Sequence, residues 1–374
     1  MLSLQDFTGR IFDMAGFEGV KWADKQFRYL LKGKAYELME ANASVPAVSR
    51  SIHYGLCLAF EGIRFYCKRS DSGNLEVVFL NLDKNLERFE RGIAFNLSSA
   101  QQEIAPAAEE LEAVLLQFFR EPDMKEFLGE MADLNAQGYL RPFTFDEEQS
   151  IGVTFPGDPS IRGVACRYDR YLGEPFSGVV VPHMVRAVGI NGTGCLKLGI
   201  NYLMSVKAVD EARKVLPEAG SALFLDDNPQ APLEARRITE WDSSCCLFAL
   251  RDGTVVKIPE SNLILPSVTI QGICAILRQM GVVVEERDMT YGELIQRSQN
   301  QEVVAICSVG TAGILNRAER LLLVDKDNQV IGIQEADESH ELYRKIGQAR
   351  TYFWDIYQEK VPLPDGLKLQ KFGI

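Results

Sequence analysis

The chain has 374 residues and a mass of 41.9 kDa, more than one hydrophobic core usually holds, so two domains are expected. Hydrophobic residues make up 46% and charged residues 25%, the balance of a folded globular protein and not of a disordered or collagen-like one. Lysine and arginine total 40 against 52 aspartate and glutamate, a net charge of −12 that argues against a nucleic-acid partner, and no apolar run approaches the roughly 20 residues of a membrane span.

The opening stretch, MLSLQDFTGRIFDMAGFEGV, interrupts its apolar residues with Gln5, Asp6, Arg10 and Asp13. It lacks the unbroken apolar core of a secretory signal, and a cytoplasmic location is expected. Glu76–Leu82 reads as a strand from its β-branched and aromatic content, and Asp83–Leu97 as a helix with Leu86, Phe89, Ile93 and Leu97 on one stripe. A second helix is expected from Ser99, with Gln102 completing a capping box, to Arg120. Between Cys166 and Ser177 the text turns to CRYDRYLGEPFS, the candidate linker. This sets a smaller N-terminal domain at 1–165, a linker at 166–178 and a larger C-terminal domain at 179–374.

Beyond the linker, helix and strand alternate. Leu203–Leu216 is an amphipathic helix and Ala222–Leu225 a strand; Cys245–Leu250 and Val255–Ile258 flank the hairpin signal Arg251-Asp252-Gly253-Thr254. Ile270–Met280 reads as a helix, Val282–Glu286 and Glu302–Ser308 as strands, and Glu338–Gln358 as a long closing helix. The class is α/β in two domains. The eight cysteines form no C-x-x-C pair and the three histidines are scattered, so buried thiols are expected and no metal centre.

Four segments carry chemistry: HYGLCLAFEGIRFY at His53–Tyr66, GYLRPF at Gly138–Phe143, GTGCLKLGINY at Gly192–Tyr202, and a dispersed set of Ile238-Thr239-Glu240, LPSVT at Leu265–Thr269 and GTA at Gly310–Ala312. Each alone reads equally well as a turn or a solvated charge. Together and in this order they resemble the class IV pyridoxal-phosphate aminotransferases, and most closely the branched-chain amino-acid aminotransferases, whose pattern runs HYG…FEGIR, YIRP, K-x-GGNY, TE, LPG-(I/V)-T and GTA.

The resemblance implies the D-amino-acid aminotransferase-like α/β fold, pyridoxal 5′-phosphate as cofactor, and a homodimer whose partner helps to complete each site. It puts the Schiff-base and proton-transfer lysine at Lys197, an assignment that suits the ease with which a lysine amine changes its proton affinity. Glu240 takes the position that keeps the pyridine nitrogen protonated, and Tyr202 the one that bonds the ring hydroxyl. Arg64, the backbone amides of Val268 and Thr269, and the Thr311 hydroxyl take the phosphate positions, which fits the affinity of guanidinium groups and helix N-termini for anions. Tyr139, Thr311 and Ala312 fall at the substrate-carboxylate positions and Arg141 at that of a second carboxylate, as in 2-oxoglutarate. Phe60 and Tyr54 supply apolar walls. The implied partners are amino acids and 2-oxo acids.

The activity implied is transamination of an L-branched-chain amino acid with 2-oxoglutarate. D-amino-acid transamination, aminodeoxychorismate lysis and a cofactor-binding protein of reduced activity remain open alternatives. Several positions depart from the family pattern. Ile200 replaces the second glycine after the lysine; Trp241 and Cys246 stand where a small residue and an asparagine are expected; Ser267 replaces the glycine of LPG, and Ile270 an arginine; and the stretch from Tyr54 to Phe60 is one residue longer. All were expected around the pocket, where they bear on substrate identity.

Overall fold

A computed structural model describes residues 11–14, 17–171, 175–186, 192–228 and 230–374. The opening residues 1–10 and part of the expected linker, 172–174, lie outside the described residues. The chain divides into two compact units: Met1–Leu172 with Lys197–Ile200 and Lys368–Ile374, and Gly173–Leu196 with Asn201–Leu367. A single cut at 166–178 does not describe this division, since two later segments join the first unit. Of the stretch expected as linker, Cys166–Tyr168 end the strand Pro159–Tyr168, Arg170–Tyr171 form a short strand, and Phe176 opens the strand Phe176–Val180.

The first unit is built on a sheet of nine strands among the described residues. Its central order is Phe17–Leu30, Pro159–Tyr168, Gln137–Asp146, Ile63–Arg69, Leu75–Leu80 and, at the edge, Leu369–Gly373. These neighbours pair antiparallel, so each strand has one face for the core and one for something else. The strand Gln137–Asp146 shows this directly: Gly138, Leu140 and Pro142 are buried, while Gln137, Tyr139, Arg141 and Phe143 are half-exposed. Successive side chains in a strand point to opposite faces, which accounts for the alternation. On the buried face an aromatic cluster forms the core. Phe65 and Phe119 meet edge-on at 4.9 Å, and Phe27 and Phe118 lie 5.3 Å apart.

Helices Leu82–Phe95, Ala108–Arg120 and Lys125–Leu134 supply the apolar partners of that face. The single helix expected from Ser99 to Arg120 is two pieces, a 3-10 turn Ser99–Ile104 and the helix Ala108–Arg120. Pro106 is the cause: it lacks an N–H and drives the preceding residue out of the helical region, and Ala105 is extended at φ −63, ψ 125. The capping box is one residue earlier than expected, with the Ser98 N–H donating to Gln101 Oε1 at 3.0 Å.

The second unit holds another nine-stranded sheet among the described residues, ordered Ile238–Trp241, Ser221–Leu225, Phe176–Val180, Ile314–Val324, Val303–Gly310, Cys245–Leu250, Thr254–Lys257 and Val283–Glu286, with Val330–Glu335 on Ile314–Val324. It is mixed: Phe176–Val180 runs parallel to both of its neighbours, whereas Cys245–Leu250 and Thr254–Lys257 form the expected antiparallel hairpin. Helix Tyr202–Val215 packs Ala208 and Ala212 against Val179, Ala222 and Phe224. Helix Val268–Gln279 buries Ile270, Ile273, Ile276 and Leu277. The closing helix, Glu341–Tyr357, packs Phe353 close to Gly272, where an added Cβ would stand 2.9 Å from the ring.

Candidate functional site

In the first unit, register places the candidates on one face of the sheet. Arg64 pairs with Tyr139, and Tyr139 with Cys166. Side chains at paired positions share a face, so Arg64, Tyr139 and Arg141 all lie opposite the aromatic core. Arg64 is only 4% exposed; its guanidinium donates to Gln137 Oε1 and lies 5.7 Å from the centroid of the Tyr168 ring. Tyr139 needs the absence of a side chain at Gly62, where a Cβ would stand 2.2 Å from its hydroxyl. The glycine of FEGIR thereby makes room for the tyrosine of YLRP.

Arg141 stacks its guanidinium 5.1 Å from the Tyr139 ring and donates to the Tyr139 hydroxyl at 2.5 Å. Its Nε is buried with no hydrogen-bond partner among the described residues. A buried cationic donor of this kind costs free energy until an acceptor arrives, which suits an anionic ligand. The Phe60 ring lies 4.8 Å from the Arg141 guanidinium carbon and 4.9 Å from Lys197 Nζ, distances at which each cation gains from the ring quadrupole. Lys197 is half-buried, and its carbonyl accepts from the Phe60 N–H at 3.0 Å. Tyr54, in the short helix Arg50–Tyr54, is 46% exposed and donates to the Ile151 carbonyl at 3.0 Å. Ile200 is exposed.

In the second unit Glu240 lies in the strand Ile238–Trp241 and is 1% exposed. Its Oε1 accepts from Arg186 Nη1 at 2.7 Å and from the Leu265 N–H at 3.3 Å, and the Cys245 thiol lies 4.0 Å from Oε2. The Arg186 guanidinium also lies 5.3 Å from the centre of the Tyr202 ring. Burial works against its charge, but the neighbouring Glu240, with Tyr202, Cys245 and Asp242 behind it, more than offsets this and raises Arg186 above its ordinary value. Arg186 therefore links Glu240 and Tyr202, and sequence reasoning missed it. Its partner lies 54 residues further on, so no local spacing marks the pair.

Trp241, beside Glu240, turns to the other face. Its indole N–H donates to the Cys307 carbonyl at 3.1 Å, Phe176 meets it edge-on at 5.3 Å, and a Cβ at Gly178 would stand 2.6 Å from its ring. It is fully buried and packs away from Glu240. Cys246 is buried too, with its thiol 3.4 Å from the Thr239 carbonyl.

Ser267 is the N-cap of helix Val268–Gln279, its hydroxyl accepting from the Ile270 N–H at 3.3 Å. The serine that departs from LPG thus caps the helix, a contribution of about 1 kcal/mol. The N–H groups of Val268 and Thr269 sit in the first turn, where no intrahelical acceptor exists, at the positive end of the helix dipole. Thr311 and Ala312 form the turn between the strands Val303–Gly310 and Ile314–Val324. Ile314 closes that turn at φ 62, a costly conformation for a β-branched residue.

Donors of the chemical types that pyridoxal phosphate takes lie in each unit: an amine and a guanidinium in the first, and a buried carboxylate, a phenol and a helix N-terminus in the second. No protein-family model matches the chain. The branched-chain-amino-acid transaminase 1 of Bacillus subtilis is 27% identical over 346 residues, covering 91% of this chain and 88% of that one. Among solved structures, the branched-chain aminotransferase of Thermoproteus uzoniensis, crystallised with norvaline, superposes with a TM-score of 0.65 at 21% identity over 92% of this chain and 99% of its own. The fold is that of a branched-chain aminotransferase. The branched-chain aminotransferase of Thermobaculum terrenum, solved in its PLP form, shares it at a TM-score of 0.64 and 16% identity, covering 93% of this chain and 99% of that one. A further structure of this fold, at a TM-score of 0.63 and 20% identity over 91% of this chain and 97% of that one, is complexed with N-(5′-phosphopyridoxyl)-L-glutamate. The class IV resemblance of the motifs and the fold agree.

Proposed function

We propose that this chain is a pyridoxal-phosphate-dependent aminotransferase that moves the amino group of an L-branched-chain amino acid (leucine, isoleucine or valine) to 2-oxoglutarate by a ping-pong mechanism. The observation that carries this is Glu240, a carboxylate with almost no solvent contact held by Arg186, in the fold of these enzymes. Burying such a pair is expensive, and a ring nitrogen that must stay protonated is a reason to do so.

Pyridoxal phosphate, when bound, supplies an aldehyde for the substrate amine and a ring that takes up the electrons released at the α-carbon. Lys197 would supply the amine that bonds the cofactor and, once released, would move the proton from the substrate α-carbon to the carbon that was the cofactor's aldehyde. Glu240 holds the pyridine nitrogen protonated, and Tyr202 bonds the ring hydroxyl. Arg64, the Val268 and Thr269 amides and the Thr311 hydroxyl hold the phosphate. Tyr139 and the amides of Thr311 and Ala312 orient the substrate carboxylate, Arg141 takes the second carboxylate of 2-oxoglutarate, and Phe60 and Tyr54 wall the side-chain pocket. The glutamate adduct in a solved relative supports the dicarboxylate partner.

We place the cofactor in the C-terminal domain and read the chain as a homodimer; Leu203 and Val206, each 68% exposed on helix Tyr202–Val215, support an apolar contact with a second copy. All eight cysteines are free thiols, which supports a reducing, cytoplasmic setting.

The test is a spectral panel. Purified protein loaded with pyridoxal phosphate should show a visible band that leucine, isoleucine and valine bleach and that 2-oxoglutarate restores. A band that D-alanine bleaches and L-leucine leaves intact would overturn the assignment, and one that no amino acid moves would replace it with a binding role.

A further inference from the structure

Lys197 is held by a short extended segment, Leu58–Glu61, whose backbone works in both directions. On one side it joins the strand Gln137–Asp146: Glu61 N–H donates to the Pro142 carbonyl at 2.9 Å, Thr144 N–H to the Ala59 carbonyl at 2.8 Å, and Ala59 N–H to Thr144 Oγ1 at 2.9 Å. On the other it takes the lysine segment, with Phe60 N–H donating to the Lys197 carbonyl at 3.0 Å and Gly199 N–H to the Leu58 carbonyl at 2.8 Å. Ala59 and Leu198 pair as a bridge between these two bonds.

An ion pair adds to these bonds at the end of the segment. Glu61 is fully buried, and Arg88 of helix Leu82–Phe95 meets it with two bonds, Nε to Oε2 at 2.7 Å and Nη2 to Oε1 at 2.5 Å. Its Oε1 also accepts from the Gly62 N–H at 2.8 Å and from Asn85 Nδ2 at 3.5 Å. One turn along the same helix, Gly92 lies against Ala59, with 3.1 Å between its added Cβ and the alanine methyl. Two-point guanidinium–carboxylate pairing fixes orientation as well as distance. The helix therefore meets residues 59 and 61, and the segment 58–61 in turn bonds residues 197–199.

We propose that the buried Glu61–Arg88 pair is a positioning device for Lys197, holding the segment that carries its amine onto the sheet. This rests on the reading of Lys197 as the cofactor lysine, and it deepens that reading: the catalytic amine is aligned from a helix more than 100 residues upstream. Neither residue touches substrate or cofactor in this scheme. Their effect passes through two backbone hydrogen bonds and the seat of the amine on Phe60.

The experiment is amide hydrogen exchange on the purified full chain, with and without pyridoxal phosphate, in Glu61→Gln, Arg88→Met and the double variant Glu61→Leu/Arg88→Met. The single variants leave a buried group unpaired and report on stability as well as position. The double variant removes both charges and is expected to recover stability. In all three, exchange at the Phe60 and Gly199 amides should quicken at least tenfold, while that of Phe79, between Ile63–Arg69 and Leu369–Gly373 in the same sheet, stays within threefold in the double variant. Borohydride trapping of the cofactor on Lys197 should fall in parallel. Unchanged Phe60 and Gly199 exchange in the double variant would overturn the proposal, as would a rise shared equally by Phe79, which would assign the pair to general stability. A parent protein that traps no cofactor on Lys197 would instead refute the aminotransferase reading and leave the exchange result standing.

Discussion

Replacing Glu240 with glutamine tests the centre of the proposed site through two separable consequences. The substitution keeps the shape and an acceptor for the Leu265 N–H, but it leaves the Arg186 guanidinium, in a side chain 3% exposed, without its counter-ion. Breaking a buried pair by removing one member costs about 3–5 kcal/mol. For a folding unit of roughly 150–250 residues, each kcal/mol lowers Tm by about 2–4 °C, so the cofactor-free variant should unfold about 6–20 °C below the parent. Adding Arg186→Gln removes the unpaired cation and should recover most of that loss. The second consequence concerns chemistry. With no charge to keep the pyridine nitrogen protonated, the amino-acid half-reaction should slow more than tenfold in both the single and the double variant, a barrier increase above about 1.4 kcal/mol. The assays are calorimetry without cofactor and single-turnover bleaching of the visible band at saturating leucine. A half-reaction within about twofold of the parent in the stability-restored double variant would refute the role of Glu240, whatever Tm does.

Lys197→Ala should abolish the borohydride-reducible cofactor bond, while Lys207→Ala, at an exposed position paired with Asp210 at 3.4 Å, should leave it intact; peptide mapping of the reduced adduct decides. Arg64→Ala removes one charged fork from a phosphate, worth about 1.5–3 kcal/mol, so cofactor affinity should fall roughly ten- to a hundredfold by equilibrium dialysis. Trp241→Ala empties a buried site and should cost about 3–5 kcal/mol in denaturant unfolding while leaving the order of preference among leucine, isoleucine and valine unchanged, because the indole packs away from Glu240. Burial pushes Glu61 up, but Arg88 and then Lys197 outweigh it and hold its carboxyl below the ordinary range. Its contribution to stability is therefore complete above the unfolded value of about 4.3 and is lost as pH falls through the lower folded value; the acid limb of the stability curve should flatten in Glu61→Leu/Arg88→Met.

How much of this was legible depended on whether the determining contact was local. The helical stripe through Leu86, Phe89 and Ile93 and the hairpin around Asp252-Gly253 were readable because period and turn chemistry act over a few residues. The helix drawn from Ser99 to Arg120 ran through Pro106, a local signal that the apolar stripe overrode. The strand Phe17–Leu30 escaped notice because a register shift between Trp22 and Gln26 breaks its alternation, and an irregular strand has no clean period of two. The edge strand Leu369–Gly373 pairs with Leu75–Leu80 from the far end of the chain, which no window can reveal. Of the candidate site residues, the motifs singled out Glu240 and Lys197, but not Arg186, which meets Glu240, nor Arg88, which meets Glu61. Arg186 and Arg88 belong to none of these motifs, and their pairings exist only in the tertiary structure.

That division between motif residues and their supports has a physical basis. A group that works on a cofactor must present one atom in one place, and in the proposed function Lys197, Glu240 and Arg64 would each do so from a short backbone segment whose residue types are therefore constrained together. The charge that steadies such a group needs only to arrive, from any element that passes close enough. Arg186 reaches Glu240 from a loop and Arg88 reaches Glu61 from a helix, and neither requires a neighbour of particular type. A buried carboxylate without its arginine would take up a proton or draw in water, so each of these carboxylates depends on the arginine that meets it. Two of the departures from the family pattern follow the same logic from the other side. Trp241 is accepted because strand alternation sends it to the face where Gly178 leaves room, and Ser267 because it stands at the N-cap of the helix Val268–Gln279, where its hydroxyl takes the Ile270 N–H. Both departures are absorbed locally, one by packing against a glycine and the other by capping a helix.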